Sequence, residues 1–284
     1  MIYELILKPS QKDSGPLEIL IDLLLGAGIS PEIIIQVTLK GKEHLCLYSQ
    51  SKKEHLNLKR VVDSLQLKKV LLVDHHLVKS DWQDKWKKDF KAFNLSKRFC
   101  VVPRWDKKSF ESKTREPIYI DTSLAFGTGL HETTQFMSEL IEKYEGKYAS
   151  FLDLGTGTGI LSIIASKCNA QEIKAMDISS DAINMAKVNL QENKIKDVEL
   201  VCSDLRNFKE KKQYDFVAAN LITGDLIDFQ KKIFTFVKPG KYLAVSGISL
   251  ENEKKIRKTF QSYDMRCLKI VRGSAWLAIL YKKG

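Results

Sequence analysis

One stretch limits what this chain can fold into more than any other: Phe151-Leu152-Asp153-Leu154-Gly155-Thr156-Gly157-Thr158-Gly159-Ile160-Leu161. An apolar strand carries Asp153 near its end, three glycines follow at alternate positions, and an apolar helix begins at once. Backbone N–H groups and a helix N-terminus therefore face one ligand. The plainer reading of the same residues is a tight strand-to-helix turn. A dinucleotide fingerprint has glycine at its first, third and sixth positions. Here the sixth position counted from Gly155 is Ile160, and the glycines fall at Gly155, Gly157 and Gly159. That spacing speaks against hydride transfer.

From Pro117 onward strands and helices alternate regularly, which implies a parallel sheet covered on both faces. Apolar runs read as strands over 150–154, 172–176, 198–201, 214–219 and 242–246, with helices over 160–168, 180–193 and 225–237. Pro239-Gly240 is the turn into the fifth strand. A helix over 251–262 precedes two runs, 267–271 and 276–281, that close the sheet as a pair through Gly273-Ser274. In open sheets of this kind the ligand lies beyond the carboxyl ends of the strands. Asp177 stands there after the second strand, 22 residues past Gly155, where an acid reaches ribose hydroxyls. Ser179 and Ser180 already suit the cap of the next helix, so ribose binding is the favoured role for Asp177. Asp204 follows the third strand and either reaches the amino group of a base or serves its own loop. Asn220 follows the fourth, where an amide orients an amine nucleophile or simply makes a turn.

The front of the chain has a different texture. Runs over 2–7, 33–39, 45–48 and 70–73 read as strands, and 16–25 and 56–67 as helices, the order of a ferredoxin-like module over residues 1–77. Trp82, Trp86, Phe90 and Phe93 then recur among Lys85, Lys87, Lys88 and Lys91, the pattern of an amphipathic basic linker helix over 78–95. Such a helix packs on a domain or binds RNA. A strand over 98–105 and a charged loop over 106–116 open the second domain, 96–284.

The net charge of +11 and pI near 9.2 fit an acidic partner such as nucleic acid or a ribonucleoprotein, or merely solvated lysines. Lys and Arg number 22 against 15 Asp and Glu in residues 1–118, and 24 against 20 in the rest, so the front is the more basic part. Five scattered cysteines, odd in number and without a Cys-x-x-Cys pair, argue against a disulfide framework and against a metal site. With no leader-like N-terminus and no apolar run near 18 residues, a cytoplasmic chain without a membrane span is expected.

A second informative stretch is Asp121-Thr122-Ser123-Leu124-Ala125-Phe126-Gly127-Thr128-Gly129-Leu130-His131-Glu132-Thr133-Thr134, just ahead of the helix before the first strand. A loop there folds over the ligand and excludes water. The Gly155-Gly157-Gly159 spacing resembles the first motif of the S-adenosylmethionine-dependent, Rossmann-like methyltransferases. Joined to Ala125-Phe126-Gly127-Thr128-Gly129, His131, Thr133-Thr134, Ala219-Asn220-Leu221 and Ser246-Gly247-Ile248, it is similar to the ribosomal protein L11 methyltransferase family over essentially the whole chain. The family usually has proline at Thr122 and Glu132 and threonine at Leu130, departures that leave the cofactor positions intact.

The resemblance implies a class I methyltransferase sheet with a small N-terminal ferredoxin-like α+β domain that binds the protein substrate. It implies S-adenosyl-L-methionine as cofactor, with Thr134, Gly155, Asp177 and Asn220 binding it; Gly157, Gly159, Asp204, Phe126 and Thr128 complete the candidate set. The expected activity is methylation of ribosomal protein L11 at lysine and N-terminal amines, with ribosomal RNA as a further contact. Asn220 and the Leu221 carbonyl are candidates for holding the amine, and His131 for a direct role or for loop structure. No metal is required. Asn220-Leu221-Ile222 lacks the prolines and aromatic of sites built for flat nucleobases. The alternatives are a lysine methyltransferase for another protein and a noncatalytic ribosome- or RNA-binding module.

Overall fold

The computed structural model describes residues 2–9, 20, 21, 23, 24, 27, 29, 34–39, 42–49, 51–65, 70–77, 91–111, 114–121 and 129–284. The chain forms two compact units, Met1–Lys91 and Ala92–Gly284. The expected linker helix lies outside the described residues over 78–90, and so do Phe126 and Thr128.

The first unit is a four-stranded antiparallel sheet of β1 (Ile2–Pro9), β2 (Ile34–Leu39), β3 (Lys42–Ser49) and β4 (Val70–Leu77), in the order β2-β3-β1-β4. Helical residues at Leu20, Ile21, Leu23 and Leu24 fall between β1 and β2, and α1 (Lys52–Ser64) between β3 and β4. This is the split β-α-β arrangement expected from the order of elements. The start of α1 is set by a capping box: Glu54 N–H donates to the Ser51 hydroxyl, and Ser51 N–H donates to the Glu54 carboxylate. Leu5, Leu7, Leu45 and Leu47 pack with Leu20, Leu24 and Val62 in its core.

The second unit opens with a small sheet, β5 (Phe93–Asn94), β6 (Phe99–Pro103) and β7 (Glu116–Ile120), in that order. A 3-10 turn at Arg104–Asp106 follows β6, and Lys107 beyond it ion-pairs with Glu192 at 2.8 Å, which anchors the charged loop. After α2 (Glu132–Lys143) comes the main alternation: β8 (Ser150–Leu154), α3 (Ile160–Lys167), β9 (Glu172–Asp177), α4 (Ser180–Glu192), β10 (Val198–Cys202), β11 (Tyr214–Asn220), α5 (Thr223–Asp228), α6 (Gln230–Thr235) and β12 (Val237–Ser249). A 3-10 turn, α7 (Glu253–Gln261), β13 (Met265–Arg272) and β14 (Trp276–Lys283) complete it.

The seven-stranded sheet runs β10-β9-β8-β11-β12-β14-β13. Its first five strands are parallel, while β14 is antiparallel to both β12 and β13. The strand order reverses at β8, which makes its carboxyl end the switch point where such sheets bind ligands. β8 is buried along its full length and β11 is buried up to Asn220, as expected of central parallel strands, with Asp153 and Asp215 the buried charged residues in them. Phe151 stacks on Phe216 with ring centroids 5.5 Å apart between these central strands. No helix among the described residues is long and apolar enough to cross a membrane.

Three local expectations change. Phe93–Asn94, expected as the end of the linker helix, instead pair with β6 as strand β5. The helix expected over 225–237 is broken at Phe229 into α5 and α6. Pro239-Gly240 lies inside β12 rather than before it: the pairing with β11 jumps from Tyr214 opposite Val237 to Phe216 opposite Tyr242, so the dipeptide sits in a bulge.

Candidate active site

Four strand ends and one helix start build the site. At the end of β8 the turn is held from behind, since Gly155 and Thr156 N–H both donate to the Met176 carbonyl of β9. Gly155, Gly157 and Gly159 have φ of 74°, 53° and 80°, the left-handed region where a side chain is strained. At Gly155 a methyl group would also sit 2.5 Å from Leu221 Cδ2. The buried Asn189 of α4 braces the turn from below, its amide donating to the Thr158 carbonyl at 2.9 Å.

Asp153 is fully buried, and one carboxylate oxygen accepts from the Thr156 and Ser162 hydroxyls, each at 2.8 Å. Burial pushes its carboxyl up to about 6 against those two hydrogen bonds, and the charge of Asp177 adds to the rise. Asp177 stands at the end of β9, where Gly157 N–H donates to one of its oxygens at 2.9 Å and Ser179 N–H to the other at 3.0 Å. The Ser179 hydroxyl caps α4 as expected, leaving Asp177 between the glycine turn and the helix. At the end of β10, Asp204 accepts from Arg206 N–H at 2.7 Å, so its carboxylate closes its own turn.

Asn220 ends β11, and its Nδ2 lies 3.4 Å from Thr133 Oγ1 in the first turn of α2. Leu221 is clasped between two glycines. Its side chain covers Gly155, and its carbonyl lies so close to Gly247, at φ 82°, that a methyl group there would strike the oxygen. His131 is the N-cap of α2, with Nδ1 accepting from Thr133 N–H and lying 2.7 Å from Thr133 Oγ1. Its ring meets Trp276 edge-on at 5.2 Å. Burial lowers its pKa to about 4, so the ring is neutral near pH 7. The start of α2 is tied to the β13–β14 turn by Glu132, whose carboxylate accepts from Ser274 N–H and from its hydroxyl at 2.9 Å. The chain thus anchors this helix start with a carboxylate at the position where the resemblance expects proline.

Sequence reasoning passed over three residues here. Thr133, beside the expected Thr134, carries the contact to Asn220; only the Thr-Thr pair at a helix start marks it. Asn189 has no sequence signal, being one polar residue inside an amphipathic helix. Ile178 is 68% exposed directly after Asp177, an apolar side chain in a loop, and that pairing was the legible clue. Leu130, Ile178, Ile222 and Leu250 are the exposed large apolar residues described in the second unit, and the first three adjoin His131, Asp177 and Leu221.

In the second unit five buried side-chain polar atoms have no hydrogen-bond partner among the described residues, Thr134 Oγ1, Asp153 Oδ1, Arg257 Nε, Trp276 Nε1 and Tyr281 Oη, and of these Asp153 Oδ1 lies on the strand that leads into the glycine turn. Buried polar groups are almost always bonded, so such orphans beside a glycine turn mark a place for ligand. A nucleoside with a cationic amino acid tail fits this set: a carboxylate for ribose, apolar cover for a base, and unpaired oxygens for an ammonium group.

Comparison with known proteins agrees with that geometry. The family model described as ribosomal protein L11 methyltransferase matches residues 33–284. The chain belongs to the ribosomal protein L11 methyltransferase family. A family member from Acetivibrio thermocellus is 35% identical over 203 residues, 71% of this chain and 64% of the relative. One from Staphylococcus aureus is 31% identical over 238 residues, 84% of this chain and 75% of the relative. The chain thus spans under two thirds of the length of the first of these curated relatives. The crystal structure of a ribosomal protein L11 methylase from Lactobacillus delbrueckii subsp. bulgaricus superimposes with a TM-score of 0.64 at 28% identity, over 69% of this chain and all of that one.

Proposed function

We propose that this protein transfers methyl groups from S-adenosylmethionine to ribosomal protein L11, at lysine side chains and the N-terminal amine. The observation that carries the reading is the meeting, at the carboxyl end of β8, of the glycine turn with Leu221, whose neighbour Asn220 reaches Thr133 at the start of α2, next to the orphaned Thr134 hydroxyl. When bound, the cofactor would supply an electrophilic sulfonium methyl group to a neutral amine nitrogen, with the amine's proton passing to water.

The chain's own residues bind and align. Asp177 keeps lone pairs beyond those used by Gly157 and Ser179 and holds the ribose hydroxyls. Ile178 covers the base, Asp204 lies at the next strand end, and Thr134 with Asp153 receives the cofactor's ammonium group. Phe126 and Thr128, outside the described residues, are cofactor candidates from the sequence. Asn220 and the Leu221 backbone receive the amine, whose alignment supplies much of the acceleration. Lysine has a reference pKa of about 10.4, so the apolar rim of Leu130 and Ile222 favours the neutral, nucleophilic form by desolvation. His131 acts as a neutral cap and acceptor, not as the proton's destination.

The first unit presents the substrate, and the cytoplasm is the setting. The charge of +11 adds ribosomal RNA as a contact, to be read as weaker association at high salt. The direct test is incubation with methyl-labelled S-adenosylmethionine and L11, alongside L11 with acetylated amines. Label on the first and not the second is expected. A folded protein that binds cofactor by calorimetry yet labels neither overturns the reading.

A further inference from the structure

An asparagine amide presents either an oxygen acceptor or an NH2 donor, and a half-turn about one bond exchanges them. Which face meets an amine matters chemically. An NH2 group would bond to the nitrogen lone pair that must attack the methyl carbon. An oxygen accepts an N–H instead, leaving that lone pair free and favouring the positive charge that develops on nitrogen.

Three residues decide the face here. Thr133 N–H donates to His131 Nδ1, so Nδ1 is an acceptor and the neutral ring carries its proton on Nε2. The Thr133 hydroxyl, 2.7 Å from the same Nδ1, then gives its single hydrogen to the ring. Only lone pairs of Oγ1 remain for Asn220 at 3.4 Å, and the flipped amide would set oxygen against oxygen. Edge-on packing against Trp276 and the Glu132–Ser274 anchor hold the ring and the helix start in place.

We propose that Thr133 is a positioning residue: with its hydroxyl fixed by His131, it turns the NH2 of Asn220 toward α2 and commits the Asn220 carbonyl oxygen to the substrate amine. The inference rests on the amine-methyltransferase reading above. Thr133 itself is not among the residues assigned to the cofactor, and Asp177, Thr134 and the glycine turn stay in place without its hydroxyl, so Thr133 governs turnover more than cofactor affinity.

The test compares the wild-type protein with Thr133→Val, Thr133→Ser, Asn220→Ala and the Thr133→Val, Asn220→Ala double variant. Each is assayed for S-adenosylmethionine affinity by calorimetry and for methyl transfer to L11. Thr133→Val is expected to lower kcat about tenfold or more with cofactor Kd within about threefold, and Thr133→Ser to restore kcat. In the Asn220→Ala background the valine should change kcat by less than about twofold, because its effect passes through Asn220. A valine variant with unchanged kcat, one that loses cofactor affinity, a serine variant that rescues nothing, or an additive double variant each overturns the proposal. Wild-type protein that binds cofactor but transfers nothing fails the functional reading instead.

Discussion

The two ends of the parallel sheet are built on opposite terms. At the amino ends, Asp215 of β11 accepts from Ala149 N–H and Ser150 N–H at 2.9 and 3.1 Å and from Lys238 at 3.0 Å. Those bonds outweigh its burial and hold its carboxyl well below the usual range. At the carboxyl ends, Asp153 is pushed up to about 6, Thr134 Oγ1 and Asp153 Oδ1 lack partners, and three successive glycines take left-handed backbone. Asp215 is satisfied without ligand and Asp153 is not. That difference in hydrogen bonding separates the anchoring aspartate from the one that leads into the candidate site.

The contrast breaks most sharply on pH. The folded-state pKa of Asp153 is raised above its unfolded value, so its contribution to stability is full below about pH 4 and is lost as pH rises toward 6. Asp153→Asn, assayed without cofactor by urea titration, should gain on the wild type by about 3 kcal/mol between pH 4 and pH 8. A flat difference would place an unseen partner on Asp153. Asp215 has the opposite sign: its pKa is depressed, so its contribution is present near neutrality and fades as pH falls below about 4. Asp215→Asn should cost about 2 kcal/mol at pH 7, shrinking in acid, with cofactor affinity unchanged. If cofactor binding falls with it, the two ends are not separable.

Two smaller effects refine the working end. Asp177→Ala should weaken S-adenosylmethionine binding by about 1.4 kcal/mol, roughly tenfold by calorimetry. Thr134→Val removes a buried hydroxyl that has no partner, so the protein alone should be unchanged or up to about 1 kcal/mol more stable while its cofactor affinity falls. Loss of stability without loss of affinity would make Thr134 a structural residue.

What could be read in the sequence follows the same division. Backbone-driven features were legible: the alternating glycines announced the turn, and the mostly apolar runs placed β8 and β11 where the structure has them. Features set by tertiary contact were not. Pro239-Gly240 looks like a turn, yet parallel pairing of β12 with β11 absorbs it as a bulge, and Phe229 interrupts a helix whose periodicity runs on. The strand-end positions of Asp177 and Asn220 were legible because strand ends can be counted, whereas the contact of Thr133 with Asn220 exists only because α2 meets β11 at 3.4 Å. Asp204 shows the limit of counting: it stands at a strand end, but its carboxylate closes its own turn.

The central claim is that the unsatisfied end of this sheet aligns an amine of L11 with a methyl donor. Its most direct measurement is residue-resolved mass spectrometry of L11 from cells with and without this protein. The account predicts methylated lysine and N-terminal amines that disappear when the protein is removed and return with the wild type but not with Asn220→Ala. Identical L11 methylation in both kinds of cell would contradict it.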